Sequence, residues 1–241
     1  MALTHLAIIM DGNRRWARRH TLRALAGHDE GAQNLKTIAR AVAEHGVDYL
    51  TVFAFSSENW KRAQSEVSGL ISLMRRFLQN DIQQLIDDDI RLLIIGDRTA
   101  FDDELQALFA AAEQKTSTCS RLTLTIAVNY GGRQDILNAA RAVLHEKGAK
   151  DRLDQHDFEM KLNTRQLPDV DLLVRTGGEK RLSNFLLWEM SYAELYFTDV
   201  LWPDFTTQDL SKAIKDYYSR DRRYGGDPAG AAGDLETSKR A

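Results

Sequence analysis

Asp11 is the one acid in the stretch IIMDGNRRWARRH (8–20), and Arg14, Arg15, Arg18 and Arg19 follow it closely, with Arg23 just beyond. An unpaired carboxylate is costly to bury, and so is a crowd of unpaired guanidinium groups. The pattern makes sense around a ligand carrying several negative charges, with a metal ion between the acid and that ligand. Guanidinium forks match phosphate and diphosphate oxygens.

Two further stretches carry the same chemistry, FSSENWKR (55–62) and RTGGEKRLSN (175–184). Together the three supply Asp11, Asn13, Arg15, Asn59, Arg62, Arg175, Arg181 and Ser183, a set that reads as two anion sites flanking one metal-capable carboxylate.

Each stretch follows an apolar run that reads as a strand. The runs are HLAIIM (5–10), VDYLTVFAF (47–55), IRLLIIG (90–96), LTLTIAVN (122–129), VDLLVRT (170–176) and ELYFTDV (194–200). Helical patterns lie between them at 28–45, 65–88, 101–117, 132–147 and 155–162, with a last one at 207–223. This alternation predicts a single α/β domain: a mainly parallel six-stranded sheet with helices on both faces. Ligands in such sheets bind beyond the carboxyl ends of the strands, where the three polar stretches fall. The first helix is predicted to open at GHDEGA (27–32), offering N–H groups and a positive dipole end to phosphate.

At 241 residues and 43% hydrophobic content the chain can bury a full core. A net charge of −3 argues against a general nucleic-acid binder, so the basic cluster is local. Cys119 is the only cysteine, which excludes an internal disulfide and a cysteine zinc site. Met1 runs almost directly into the first strand without a leader pattern, and no apolar run approaches the ~20 residues that span a bilayer. A cytoplasmic location is expected. The tail GGDPAGAAGDLETSKRA lacks apolar periodicity and is expected to be disordered.

The 65–88 pattern carries an apolar surface wider than the stripe a surface helix needs. One continuous helix there would span ~35 Å and could flank a long apolar cavity with Leu70, Met74 and Phe77, the strand RLLIIG (91–96) forming another wall. Arg18 and Arg19 read as solvated, the glycine pairs at 131–132 and 177–178 as turns, and DDD (87–89) as a solvated helix end.

HLAIIMDGNRRWA, GH (27–28), FAFSSENWKR, NYGGRQDI (129–136), the block DLLVRTGGEKRLSNFLLWEMSYAELYFTDVLWPDF (171–205) and RRYGG (222–226) resemble, in order, the bacterial undecaprenyl diphosphate synthases of the cis-prenyltransferase family. The likeness runs from about residue 5 to 226, implying a catalytic domain over 1–226 and a tail over 227–241. It further implies a homodimer that elongates farnesyl diphosphate with isopentenyl diphosphate using Mg²⁺, has no nucleic-acid partner, and touches a membrane peripherally for product release.

By the same resemblance Asp11 is the essential acid and, with Glu194, a Mg²⁺ ligand. Gly12, Asn13, Arg14, Arg15, Trp16, Arg23, His28 and Arg62 hold the allylic substrate, with Ser56, Ser57, Glu58 and Trp60 beside them. Asn59 stands at the reacting carbons. Arg175, Arg181 and Ser183 hold the second diphosphate, while Arg223 and Gly225 match a motif that reaches toward the partner subunit.

Two positions depart from the family pattern. Arg14 stands where many relatives have glycine. Lys180 stands where some have a metal-binding histidine, and an ammonium has no lone pair to donate. Metal binding is therefore expected to rest on Asp11, Glu194, diphosphate and water. A phosphatase in which Asp11 is phosphorylated would want a second aspartate where Asn13 stands. A non-catalytic lipid-binding subunit would lack the acid and arginines that are present.

Overall fold

Every residue of HLAII is buried, and the strands that follow are nearly as apolar, so each strand demands cover on both faces. The computed structural model describes residues 2–147 and 154–220. In it β1 (His5–Ile9), β2 (Tyr49–Ser56), β3 (Ile90–Ile95), β4 (Leu122–Tyr130), β5 (Leu172–Arg175) and β6 (Glu194–Phe197) form one sheet in the order β3-β4-β2-β1-β5-β6. All five neighbouring pairs are parallel, so the predicted sheet is wholly rather than mainly parallel. The chain leaves β1 toward β2 on one side and β5 toward β6 on the other. The crevice between β1 and β5 is therefore the topological switch point.

Helices cover both faces: α1 (Asn13–Arg19), α2 (Ala24–Glu44), α3 (Gln64–Asn80), α4 (Ile82–Asp87), α5 (Asp103–Lys115), α6 (Gly132–Lys147), α7 (Gln155–Glu159) and α8 (Thr207–Ser219). Leu35, Ile38, Phe77, Leu105 and Leu210, from α2, α3, α5 and α8, pack on Leu6, Ile8 and Val52 on one face. On the other, Ala7, Ile9 and Leu173 meet Phe185, Leu186 and Met190. Three ion pairs lace α2 to the α3–α4 segment: Arg76–Asp29 at 2.6 Å, Lys36–Asp81 at 2.8 Å and Arg40–Asp88 at 2.8 Å.

Two expectations change. GHDEGA does not open a helix: α2 already begins at Ala24, so Gly27 and His28 lie inside it. The helix that starts at the site is α1, only seven residues long and with too few apolar positions to show a period. The 65–88 pattern is two helices, broken at Asp81, so the wall α3 provides is about 25 Å long. Arg223, Gly225 and the 227–241 tail lie outside the described residues.

Candidate active site

Asp11 follows β1, and Arg175 ends β5, paired in register with Ile9. Arg175 is only 3% exposed, and its Nη2 donates to Asp11 Oδ2 at 2.9 Å. Its Nη1 donates to Ser183 Oγ at 2.8 Å and to the Arg181 carbonyl at 2.5 Å. Arg15, one helical turn after Asp11, approaches Oδ1 at 3.2 Å. The Asp11 carbonyl is fixed by the Thr176 hydroxyl at 2.7 Å and the Trp202 N–H at 3.0 Å. Gly177 makes this closeness workable. Its φ is +81°, and a Cβ there would stand 2.5 Å from Arg15 Nη2 and 3.0 Å from the Asp11 carbonyl oxygen. The pair at 177–178 is therefore more than a plain turn.

Asp11 and Arg175 line a cleft of about 630 Å³ together with Asn13, His28, Ser56, Glu58, Asn59, Arg62, Arg181 and Ser183. A contiguous opening is walled by Gly12, Arg14, Arg15 and Arg18. Arg18, read as solvated from sequence, is thus a wall residue. Gly12 enters α1 at φ +114°, and the first-turn N–H groups of α1 have no partner within the helix.

Glu66, in the first turn of α3, balances the basic wall. It lies 2.9 Å from Arg62, 3.7 Å from Arg14 and 3.9 Å from His28. His28 is pushed down to about 4 by burial and by the Arg62 and Arg14 charges, against the pull of Glu66. The ring is therefore neutral at physiological pH, and its buried Nε2 has no hydrogen-bond partner among the described residues. The turn after β2 is held by a capping box, with the Ser56 N–H donating to Asn59 Oδ1 at 3.0 Å. Burial opposes ionisation of Glu58, but hydrogen bonds from its own backbone, Asn184, Ser56 and Ser57 hold its pKa below the usual value.

An apolar cavity of about 110 Å³ opens from the cleft. The two share Met10, Asn13, His28, Ala54 and Leu70. Leu73, Met74 and Phe77 of α3 continue the wall opposite Leu35 and Phe55. A register shift between Phe53 and Phe55 matters here. It turns Phe55 into this cavity, although Phe53, two residues earlier, stacks on Phe185 on the other face. Ile126 of β4 supplies the sheet wall, whereas the predicted wall strand β3 lines neither this cavity nor the cleft.

Several predicted site residues are not brought in. Glu194 opens β6 beside Leu172, three residues before Arg175, so it sits about 10 Å down the strands from the Asp11 end. It pairs with Arg220 at 2.6 Å, and the Asp11–Glu194 metal pair is not formed within this chain. Arg23 is exposed at the N-cap of α2, away from both cavities. Trp16 turns outward, donating to Asp204 at 2.6 Å. Trp60 lies outside both linings, edge-on to Phe55 and bonded to Asn129 at 2.8 Å. Ser57 is likewise absent from the linings, and Lys180 is exposed.

Sequence reasoning also missed Asn184. At φ +64° it accepts from the Gly132 N–H at 2.7 Å through its carbonyl and from the Arg133 N–H at 2.9 Å through Oδ1. Its Nδ2 donates to Glu58 at 3.2 Å, so one side chain ties the β5 loop, the start of α6 and the turn after β2 together. The signal available was an asparagine beside the serine of an anion loop, since asparagine tolerates positive φ.

Among the described residues no group of three acids, histidines or cysteines could hold a metal. Asp11 nonetheless suits Mg²⁺. Each carboxylate oxygen spends one lone pair on an arginine and keeps another, and a cation that takes most of its ligands from water and phosphate asks little more of the protein.

Residues 9–225 match the prenyltransferase family described as undecaprenyl diphosphate synthase. An isoprenyl transferase of Treponema denticola is 44% identical, over 92% of this chain and 97% of its own. One of Chromobacterium violaceum is 46% identical, over 92% and 87%. Among solved structures, lavandulyl diphosphate synthase from Lavandula x intermedia, in complex with dimethylallyl diphosphate, superposes with a TM-score of 0.88 at 37% identity, covering 92% of this chain and 98% of that one. A probable undecaprenyl diphosphate synthase of Campylobacter jejuni gives 0.79 at 34%, covering 93% and 99%.

Proposed function

Because the chain belongs to the undecaprenyl diphosphate synthase family of prenyltransferases, we propose that it condenses farnesyl diphosphate with successive isopentenyl diphosphates to give undecaprenyl diphosphate, a lipid carrier precursor for cell-wall polysaccharide. The observation that carries this reading is the shared wall. An arginine-lined cleft passes directly into an apolar cavity, so one ligand can keep its diphosphate in the first and its hydrocarbon in the second.

Asn13, Arg14, Arg15, Arg62 and the first turn of α1 hold the allylic diphosphate. Arg175, Arg181 and Ser183 hold that of isopentenyl diphosphate, and anchoring both ends independently brings the reacting carbons together. The allylic C–O bond breaks, and its electron pair leaves with the diphosphate. The isopentenyl double bond supplies the electrons of the new C–C bond, and a proton then passes to a diphosphate oxygen as the cis double bond forms. The arginines stabilise the charge that develops on the leaving oxygens. Neutral His28 can donate a hydrogen bond there without adding a cation. Mg²⁺ on Asp11 and the diphosphate would neutralise part of that charge.

A second reading, a shorter product, is favoured by the size of the apolar cavity, which matches only a few water-sized groups. Incubation with farnesyl diphosphate, labelled isopentenyl diphosphate and Mg²⁺, followed by sizing of the dephosphorylated products, separates the two. Undecaprenol is expected. Arrest after one or two additions would establish the shorter product, and no product from any allylic diphosphate would overturn the enzyme reading. A homodimer is the proposed assembly, and light scattering on the full chain tests it.

A further inference from the structure

The segment that begins at Ser183 is strained. Ser183, Asn184 and Leu186 take φ +52°, +64° and +38°. Asparagine tolerates the left-handed region, but serine and leucine seldom enter it, and such backbone persists only where its surroundings over-determine it. The surroundings do so here. Asn184 is bonded to the start of α6, Phe185 and Leu186 are fully buried, and Phe185 stacks on Phe53 with ring centroids 4.4 Å apart. At the base of the segment the Met190 N–H returns to the Leu186 carbonyl at 3.0 Å, and the Glu189 carbonyl accepts from the Val170 N–H at 2.9 Å.

The Glu189 carboxyl is buried at that base. The residue is 4% exposed, its Oε1 accepts from the Thr164 hydroxyl, and its Oε2 has no hydrogen-bond partner among the described residues. Asp135, in the first turn of α6, is equally buried. Its Oδ1 accepts from the Asn163 N–H at 3.1 Å and from Asn163 Nδ2 at 2.6 Å, while its Oδ2 has no partner among the described residues. The Tyr130 phenol, at the end of β4, is bonded to Asp135, and burial with the Glu189 and Asp135 charges pushes its pKa up, so it stays neutral. Among the described residues neither Glu189 nor Asp135 forms an ion pair. Two buried carboxyls without a cation resist ionising together, and the Asn163 donors favour the charge on Asp135. Burial, with the Asp135 and Asp169 charges, raises the pKa of Glu189 against its bonds to Thr164 and its own backbone.

We propose that Glu189 is a proton-held catch: protonated, it keeps the strained Ser183–Leu186 segment in the shape that binds isopentenyl diphosphate, and its ionisation releases that segment. Only the carboxyl O–H bond breaks, and the proton goes to solvent. An ionised Glu189 would stand near Asp135 and Asp169 without a counter-charge, and moving toward water relieves it. Leu186 is three residues away, so the strained turn moves with it, and Ser183 leaves Arg175 Nη1, from which it now accepts at 2.8 Å. The consequence for isopentenyl diphosphate rests on the proposed function, but the buried proton does not.

The test compares the full wild-type chain with Glu189→Gln by urea unfolding from about pH 4 to 9 and by steady-state kinetics over the alkaline part of that range. Glutamine keeps the shape of the protonated acid and cannot ionise. The folded wild type holds a proton that the unfolded chain gives up. Its stability relative to Glu189→Gln should therefore fall as pH rises from the ordinary glutamate value to the raised one, and level off above it. KM for isopentenyl diphosphate should rise with pH about tenfold more in wild type than in Glu189→Gln, while KM for farnesyl diphosphate behaves alike in both. Thr164→Val removes a donor that favours the charged form and should move that rise to higher pH, a shift that a merely structural contact does not produce. A stability difference independent of pH, or equal pH dependence of KM in the two proteins, overturns the proposal. A difference that grows with pH in a chain that transfers no prenyl group would uphold the buried proton and overturn the catalytic reading.

Discussion

Asp11 and Arg175 are joined at 2.9 Å across the β1–β5 crevice, and the arginine is almost wholly buried while the acid is partly open to the cleft. The two do different jobs. Arg175 is a buried charge whose cost of burial is offset by Asp11, Ser183 and the Arg181 carbonyl, and it still borders the cleft. Asp11 keeps lone pairs for a cation. Asp11→Ala is expected to abolish turnover while leaving farnesyl diphosphate binding largely intact. It should also cost about 2 kcal/mol in urea unfolding, because it strands a buried guanidinium. Unchanged stability would show that Arg175 does not depend on this partner.

Gly177→Ala should displace Arg15 from Asp11. The added methyl falls on the Arg15 guanidinium and the Asp11 backbone, and alanine also resists the left-handed conformation at about 1–2 kcal/mol. Transfer activity should fall about tenfold or more, as small misplacements at a reacting site do. Wild-type activity would show that Arg15 can move without consequence.

His28 titrates near 4 in the folded protein and near 6.5 when unfolded. Between these values the unfolded chain binds the extra proton, so stability is lost as pH falls from 6.5 toward 4 and is whole above that window. The contribution is at most about 3 kcal/mol. The stability difference between wild type and His28→Gln should therefore depend on pH within this window and level off above it. A pH-independent difference across pH 4–7 would mean that the ring is not held neutral.

Leu70 and Ser72 are two residues apart and face opposite ways. Leu70 lines both cavities, whereas Ser72 is exposed and bonded to the Ser68 carbonyl at 2.9 Å. Leu70→Trp should shorten the products, since close-packed walls resist overpacking, and Ser72→Trp should leave their length unchanged. Product sizing by chromatography decides it, and the reverse ranking would place the prenyl chain elsewhere.

Asn184→Ala removes the side-chain ties to Arg133 and Glu58 and strains the positive φ. KM for isopentenyl diphosphate should rise several-fold more than that for farnesyl diphosphate, because the loop it holds carries Ser183. Asn184→Asp should restore the bond to the Arg133 N–H but not the donor to Glu58. Equal KM changes for both substrates would assign Asn184 a purely structural role.

The six strands were legible because each is a nearly uninterrupted apolar run bounded by polar turns, and Asp11, Asn13, Arg62, Arg175 and Ser183 were legible as polar residues just past or near strand ends. Where Glu194, Arg23 and Glu66 stand depends on geometry that local pattern does not encode. Glu194 sits in a block rich in site residues, yet parallel pairing puts the first residue of a strand at the far end from the crevice. Arg23, assigned by resemblance, stands exposed at the N-cap of α2, which begins earlier than its apolar period suggests. Glu66 stands in none of the motifs read from the sequence. Its closeness to Arg14, Arg62 and His28 appears only once α3 packs beside α1 and α2.

The lacing between α2 and the α3–α4 segment gives the apolar cavity an expansion joint. A cavity of about 110 Å³ cannot take a long prenyl chain unless one wall retreats, and the sheet, buried on both faces, is the rigid wall. The outer wall is fastened by Arg76–Asp29, Lys36–Asp81 and Arg40–Asp88, and water can take over such fasteners as they part. Exposed pairs are worth only ~0–1 kcal/mol each, with the more enclosed Lys36–Asp81 the stiffest of the three. Widening draws on these charge pairs together with the packing of Leu35 and Phe77, which line the cavity and belong to the core. Salt in the assay should accordingly ease the late additions of a long chain more than the first.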